Sequence, residues 1–382
     1  MESFRKEYDI IQRQWNGNLQ TADQAFREFE QKVAGRPLVL FGAAWIGDFV
    51  YERLVSRGIE ITCFCDNFVK GVTPAGHTPI ITADELIKMY PTAVVIITND
   101  KACFIIRQQL LDLGFGEDQL LLLKQLDHQQ LDLQQFSLDQ LQPYIDGYER
   151  MYDFFTDEIS KQIIIARMKS YLFGTSIKKS DSPQYFEKGI IQLSEHEVFV
   201  DGGFFTGDTA EEFIRQTNGK FNYYYGFEPD ILSREKARKN LSQYECNSNI
   251  EVIPRGLHSK QTKLKFASSN GAQASGGTII EDADITGDNV VSVDVTSLDH
   301  FFANTSEVPT FIKMDIEGAE KNALLGAKNV IQTAKPKLAI CVYHKPEDLY
   351  ELTELIHSYN PDYKFVLRHY AHYFWETVLY AV

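Results

Sequence analysis

Residues 198–208 read VFVDGGFFTGD. Three apolar residues lead into an acid, a glycine pair and a third glycine. The pattern is that of a buried strand ending in a tight turn that opens a helix. Its counterparts recur downstream at regular intervals. YYYGFEPD (223–230) is a second strand, NIEVIPRGL (249–257) a third, TFIKMDIEGAE (310–320) a fourth and KPKLAICVYH (335–344) a fifth. Helical patterns lie between them at Thr209–Gln216, Ile231–Tyr244 and Glu347–Tyr359. Strands that alternate with helices imply βαβ units and a parallel sheet. The last two strands differ: YKFVLRHY and WETVLYAV are separated by a short loop, which predicts an antiparallel hairpin.

Upstream the same grammar appears once more. PLVLFGAAWIG (37–47) is a strand, a glycine turn and the start of a helix running through Leu54. IEITCFCDN (59–67), AVVIITND (93–100), a helix at Ile105–Leu113 and a short strand at Leu120–Leu123 follow. Before it, apolar positions at helical spacing in residues 1–34 predict one or two helices. Between the two α/β stretches, Lys124 to about Ser194 carries no strand signal; Ile159–Tyr171 has the look of an amphipathic helix. The expected organisation is α/β with two Rossmann-like domains: 1–125 with its N-terminal helices, a helical connector and lid over 126–194, and 195–382 ending in the hairpin.

A chain of 382 residues with 44% hydrophobic and 24% charged residues has material for two cores. The net charge of −15 and the lack of a dense basic run argue against nucleic acid or an anionic membrane as main partner. Arg234–Lys239 is the most basic stretch and reads as a solvated helix face. The five cysteines form neither a CxxC pair nor a regular framework. With a polar N-terminus and no run of the roughly 18 apolar residues that a membrane span needs, the expectation is a cytoplasmic protein.

The chemistry concentrates at the strand ends. Gly203 and Gly207 let the backbone approach a ligand, while Asp201 before them would repel a pyrophosphate and attract the ammonium of a methionine moiety. Glu228 lies 27 positions after Asp201, at the end of the next strand, where a carboxylate accepts ribose hydroxyls. Together they point to an adenosyl ligand; a helix-cap role for the segment around Glu228 is the plain alternative. Strand alternation sets Lys313, Asp315 and Glu317 on one side at another strand end. His344, at the next, could take a hydroxyl proton near neutral pH. Arg368, with His369 and Glu376, either closes the pocket or forms a cross-strand ion pair.

DGGFFTGDT (201–209), GFEPD (226–230), IKMDIEGAE (312–320), KPKLAICVYHKPEDL (335–349) and LRHY…ETVLYA (367–381) together resemble the FkbM-type methyltransferases, over roughly residues 185–382. The resemblance implies a class I methyltransferase-type sheet with S-adenosylmethionine as cofactor. It also implies O-methylation of a hydroxyl on a sugar, glycan or natural product. Carried onto this sequence, Asp201, Gly203, Gly207 and Glu228 would contact the cofactor, and Asp315, Glu317 and His344 would line the pocket. On the strand-end reading, Asp315 and His344 are the catalytic candidates, with Lys313, Glu317 and Arg368 about the acceptor. Phe204-Phe205 departs from the smaller or polar residues usual at that turn. A divalent metal on Asp315 and Glu317 stays open, although two oxygen ligands would leave the ion mostly to water and substrate, and no metal ligand is assigned.

Gly42, Gly47 and Asp66 resemble a nucleotide- or nucleotide-sugar-binding turn without the full GxGxxG fingerprint. The expected role is to hold a nucleotide-linked or glycan substrate; a scaffold that binds nothing is the alternative. Two other classes remain for the whole chain: a nicotinamide-dependent oxidoreductase, against which Asp201 argues, and a non-catalytic nucleotide- or carbohydrate-binding protein. The sequence leaves the oligomeric state open.

Overall fold

The structure, a computed structural model, describes residues 3–73, 78–99, 102–123, 136–267, 277–280 and 290–382. The chain divides into two compact units, Met1–Pro143 with Ile165–Ile177, and Tyr144–Ile164 with Lys178–Val382. These divisions differ from the expected ones at 125 and 194. The anticipated connector is shared between the units, and its residues 124–135 lie outside the described residues.

The first unit opens with one helix, Phe4–Val33, capped by the Ser3 hydroxyl on the Lys6 N–H. Phe4, Tyr8, Ile11, Phe26, Phe29 and Val33 are buried along it. Six strands follow: β1 (Leu38–Phe41), β2 (Cys63–Cys65), β3 (Gly71–Val72), β4 (Pro79–Ile81), β5 (Val94–Ile97) and β6 (Leu120–Leu122). They form one sheet in the order β3-β4-β2-β1-β5-β6, parallel except for β3. Every residue of β1 and β5 is buried, as central parallel strands covered on both faces require. The pair β3 and β4 has too short a signal to be read from sequence.

In the second unit lie β7 (Val198–Gly202), β8 (Tyr223–Phe227), β9 (Ile250–Ile253), β10 (Gly256–Leu257), β11 (Thr262–Ala267), β12 (Thr278–Ile280), β13 (Val290–Thr296), β14 (Phe311–Met314), β15 (Lys337–Cys341), β16 (Phe365–His369) and β17 (Thr377–Ala381). The main sheet runs β16-β17-β15-β14-β7-β8-β9. Its five strands β15, β14, β7, β8 and β9 are parallel; β17 is antiparallel to both β15 and β16, which realises the expected hairpin. A separate four-stranded sheet, β10-β13-β11-β12, gathers the short alternating segments between β9 and β14.

The core beside β7 is aromatic. The Phe199 ring lies 4.6 Å from Phe311 and 4.9 Å from both Phe213 and Tyr224, centroid to centroid. Such pairs add roughly 0.5–1.5 kcal/mol each beyond the area they bury. Phe204 belongs to this core rather than to the surface of the turn: it is fully buried and lies over Gly226, where a Cβ would come within 2.4 Å of its ring.

One expectation for the helical region changes. The helix Glu158–Phe173 buries Ile163, Ile164 and Ile165 in succession, so it is covered on several sides and is not amphipathic. The helix Ile145–Phe154 is held to the second unit, where the lid was expected to lie: Tyr148 is fully buried and donates to the Pro346 carbonyl at 3.1 Å, and Arg150 pairs with Glu354 at 2.9 Å.

Candidate active site

Chain order 14-7-8-9 makes β7 and β14 the place where successive connections leave in opposite directions, and ligands of open α/β sheets sit beyond the carboxyl ends there. The sheet brings Asp201, Glu228, Asp315 and His344 to that one edge, from the ends of β7, β8, β14 and β15.

Asp201 is wholly buried and answers an internal cation. Its carboxylate lies 2.8 Å from Lys313 Nζ and accepts the Tyr224 hydroxyl at 2.5 Å. Lys313 also donates to the carbonyls of Gly202 at 3.2 Å and Gly203 at 2.8 Å. Burial opposes charge on both partners. It leaves Asp201 above the usual carboxylate range, while the attraction of Asp201 holds Lys313 protonated against the same burial. Two expectations are thereby corrected. Asp201 does not offer a free negative charge to a ligand, and Lys313 does not line an acceptor pocket. Instead the pair fastens the glycine turn to β14.

The glycines have reasons of their own. At Gly203 φ is +80°, and a Cβ would stand 1.8 Å from the Asp315 carbonyl oxygen. Gly207 caps the helix Asp208–Thr217 in the left-handed region, at φ +82°. The N–H groups of Gly203, Phe204 and Gly207 are already bonded, to the carbonyls of Phe227, Phe227 and Phe204. Phe205, at φ +48°, donates its N–H to Glu228 at 2.8 Å.

That last bond ties the second strand tip to the first. Glu228 is 5% exposed and accepts from Asp230 N–H at 2.9 Å through its other oxygen. Burial pushes its carboxyl up to about 7, against the pull of the two N–H donors. Asp230, not Glu228, caps the helix Ile231–Leu241, by accepting from Ser233 N–H. The plain alternative for this segment, Asp230 as the cap with Glu228 beside it, is met in that respect.

Beyond β14 and β15 stands an anionic cluster around one imidazole. His344 Nδ1 is 3.1 Å from Glu320, and Nε2 is 3.4 Å from Glu317 and 3.5 Å from Asp315. Burial alone would lower its pKa; the carboxylates, Glu320 foremost, outweigh burial and lift it well above the ordinary imidazole value. These carboxylates thus favour the protonated form of the ring. Asp315 accepts from Tyr185 at 2.7 Å and Tyr343 at 3.0 Å, one hydroxyl on each oxygen. Burial would raise its carboxyl, but Lys313 and His344 hold it below the usual range. Asp348, beside the cluster, is pushed up to about 7 by burial and by Glu320.

Four of these residues escaped the sequence reading: Tyr185, Glu320, Tyr343 and Asp348. Glu320 could have been seen as the last residue of IKMDIEGAE, in the same motif as Asp315. Tyr185 lies 130 positions from its partner and gave no local signal. Tyr185, Phe205, Glu317 and Glu376 have positive φ without being glycine, a concentration of backbone strain about the strand ends.

Arg368 corrects another expectation. Its guanidinium lies 3.0 Å from Asp157 and 3.8 Å from Glu187, so it ties the hairpin to two flanking segments and does not face the His344 cluster. In the first unit, Asp66 accepts three backbone N–H groups, from Ala43, Phe68 and Val69, and thereby braces the glycine turn. Gly47 packs against the Gly42 carbonyl, where a Cβ would come within 2.1 Å. Asp66 is thus engaged by its own chain.

Residues 200–367 match the family described as Methyltransferase FkbM domain, the family that the motifs resembled. Methyltransferase FkbM from Methylobacillus flagellatus KT has a solved structure that is 24% identical, with 100% of each chain covered and a TM-score of 0.61; the two share a fold. Solved structures of a Streptococcus mutans protein in complex with SAH (12% identity, 50% of this chain and 90% of that one, TM-score 0.31) and of a SAM dependent methyltransferase from Aquifex aeolicus (13%, 49% and 84%, 0.29) overlap about half of the chain. No curated protein matches.

Proposed function

We propose that the chain is an S-adenosylmethionine-dependent methyltransferase, and that it methylates a hydroxyl oxygen of a sugar, glycan or natural product. The observation that supports this most is Glu228: a buried carboxylate at the tip of β8, joined to the turn after β7 by the Phe205 N–H. Each of its oxygens retains a lone pair for a ribose hydroxyl. Gly203 and Gly207 shape the turn on which the methionine portion would lie. Asp201 acts indirectly, through Lys313, on the carbonyls of that turn.

Methyl transfer from a sulfonium is an in-line displacement. A lone pair of the acceptor oxygen forms the new C–O bond as the C–S bond breaks, and sulfur keeps that electron pair. In this reading Asp315 orients the acceptor hydroxyl and takes its proton, while His344 holds Asp315, Glu317 and Glu320 in place.

Calorimetry with S-adenosylmethionine, its demethylated product and NAD tests the reading. Binding of the first two, and a loss of about 10- to 100-fold in Glu228→Ala, are expected, because hydrogen bonds to a charged group are worth about 1.5–3 kcal/mol. His344→Ala should lower turnover more than cofactor affinity. Binding of NAD with none of S-adenosylmethionine would overturn the reading in favour of an oxidoreductase.

For the first unit we propose a nucleotide or nucleotide-sugar at the turn Gly42–Gly47, beyond the carboxyl ends of β1 and β5. Since Asp66 braces the turn, the ligand would be met by backbone groups. Calorimetry of the full chain with nucleotides and nucleotide sugars tests this, and silence across that set would remove it.

A further inference from the structure

His344, Asp315 and Glu320 converge from two strand ends and the helix Glu320–Leu325. Each offers a donor atom, and these atoms all lie within 4.8 Å of one another. Donors bound to one ion at about 2.0–2.2 Å stand roughly 3–4 Å apart, so ordinary side-chain adjustment would bring them to a common centre.

Burial makes the arrangement unusual. Glu320 is fully buried, and its Oε2 has no hydrogen-bond partner among the described residues. Buried polar atoms ordinarily find partners, and one left without inside a cluster of metal-donor groups points to a missing ligand. Charge points the same way. Among the described residues, the ion pairs of Asp315, Glu317 and Glu320 within 4.0 Å all go to the one imidazole. The nearby lysines are committed elsewhere: Lys313 to Asp201 and the turn carbonyls, Lys345 to the Gly318 carbonyl at 2.7 Å.

We propose that Asp315, Glu320 and His344 are the ligands of one divalent transition-metal cation, of the manganese, cobalt or zinc kind, which takes the place of a ring proton of His344 and releases that proton to solvent. An imidazole donor beside two carboxylates favours such ions over magnesium or calcium, which prefer oxygen alone. The surroundings already orient the donors. Ile316 N–H holds Glu320 Oε1 at 2.8 Å, and Tyr185 and Tyr343 fix Asp315. Three protein ligands leave coordination positions open, which an oxygen of the acceptor would fill. That last clause rests on the methyltransferase reading; the binding of the ion does not.

The test uses the full chain, freed of metal with a chelator, and manganese(II) followed by electron paramagnetic resonance. One ion per chain is expected to bind and to raise the melting temperature. Glu320→Gln and His344→Gln, checked for native circular dichroism, should each weaken binding by at least about tenfold. No bound manganese at millimolar concentration, or equal binding in wild type and whichever variant folds, overturns the site. S-adenosylmethionine titrated into the metal-free protein separates the two ideas. Cofactor binding without manganese binding sinks the metal site alone; manganese binding without cofactor binding sinks the cofactor reading alone.

Discussion

Lys313 and Asp201 stand opposite one another in register on β14 and β7, with Nζ 2.8 Å from Oδ1 and both side chains out of reach of water. Removing one member leaves the other charged and buried. Lys313→Met and Asp201→Asn should each cost about 3–5 kcal/mol in urea unfolding. The double variant should be more stable than the sum of the two losses. A cost below about 1 kcal/mol for either single variant contradicts the pairing.

Cofactor affinity should depend on pH through Glu228. Ribose hydroxyls donate to a carboxylate, and this carboxyl is pushed up to about 7, so protonation competes with binding. Affinity for S-adenosylmethionine is expected to fall as pH drops from 8 to 6. A flat calorimetric profile over that window would count against Glu228 as the ribose partner.

The ligand-free protein should lose stability as pH rises toward neutrality. Glu228 and Asp348 both titrate near 7, above their ordinary values, so the folded chain holds their protons longer than the unfolded chain does. Their contribution is complete below the unfolded pKa and is lost as pH climbs through about 7. The imidazolium of His344 acts in the same direction, at higher pH. Each proton contributes a slope of about 1.4 kcal/mol per pH unit. Glu228→Gln should flatten the profile between pH 5 and 7, as read by chemical unfolding.

Alanine should be tolerated very differently at the two glycines of the turn. At Gly203 a methyl group collides with the Asp315 carbonyl, and φ is positive; a loss of about 3 kcal/mol or more is expected. At Gly207 the nearest atom, Leu241 Cδ1, is 3.2 Å away and belongs to a side chain that moves, so about 1–2 kcal/mol is expected. Equal losses in thermal unfolding would show that packing against Asp315 is not what Gly203 supplies.

The strand ends were legible because each apolar run stops at a glycine or a charged residue, and the hairpin because its two runs share a short loop. What each end touches was not. The partner of Asp201 is 112 positions away, and the register that opposes it to Lys313 exists only once β14 is known to lie beside β7. The same gap explains Phe204, whose odd size at a turn makes sense only against Gly226 on β8. Arg368 was read across the hairpin, with Glu376, and its partners Asp157 and Glu187 come from segments with no strand signal. His344 was placed at the right strand end, but the three carboxylates around it come from residues that the linear order keeps apart.

Asp315 receives one phenol on each of its oxygens, from Tyr185 on a left-handed loop residue and from Tyr343 at a strand end. A carboxylate held from both flanks cannot spin about its last torsion, so its remaining lone pairs keep a fixed heading before any molecule arrives. On the proposed reading, an acceptor hydroxyl at Asp315 would have to conform to that heading, and selection would be exercised through angle rather than through size.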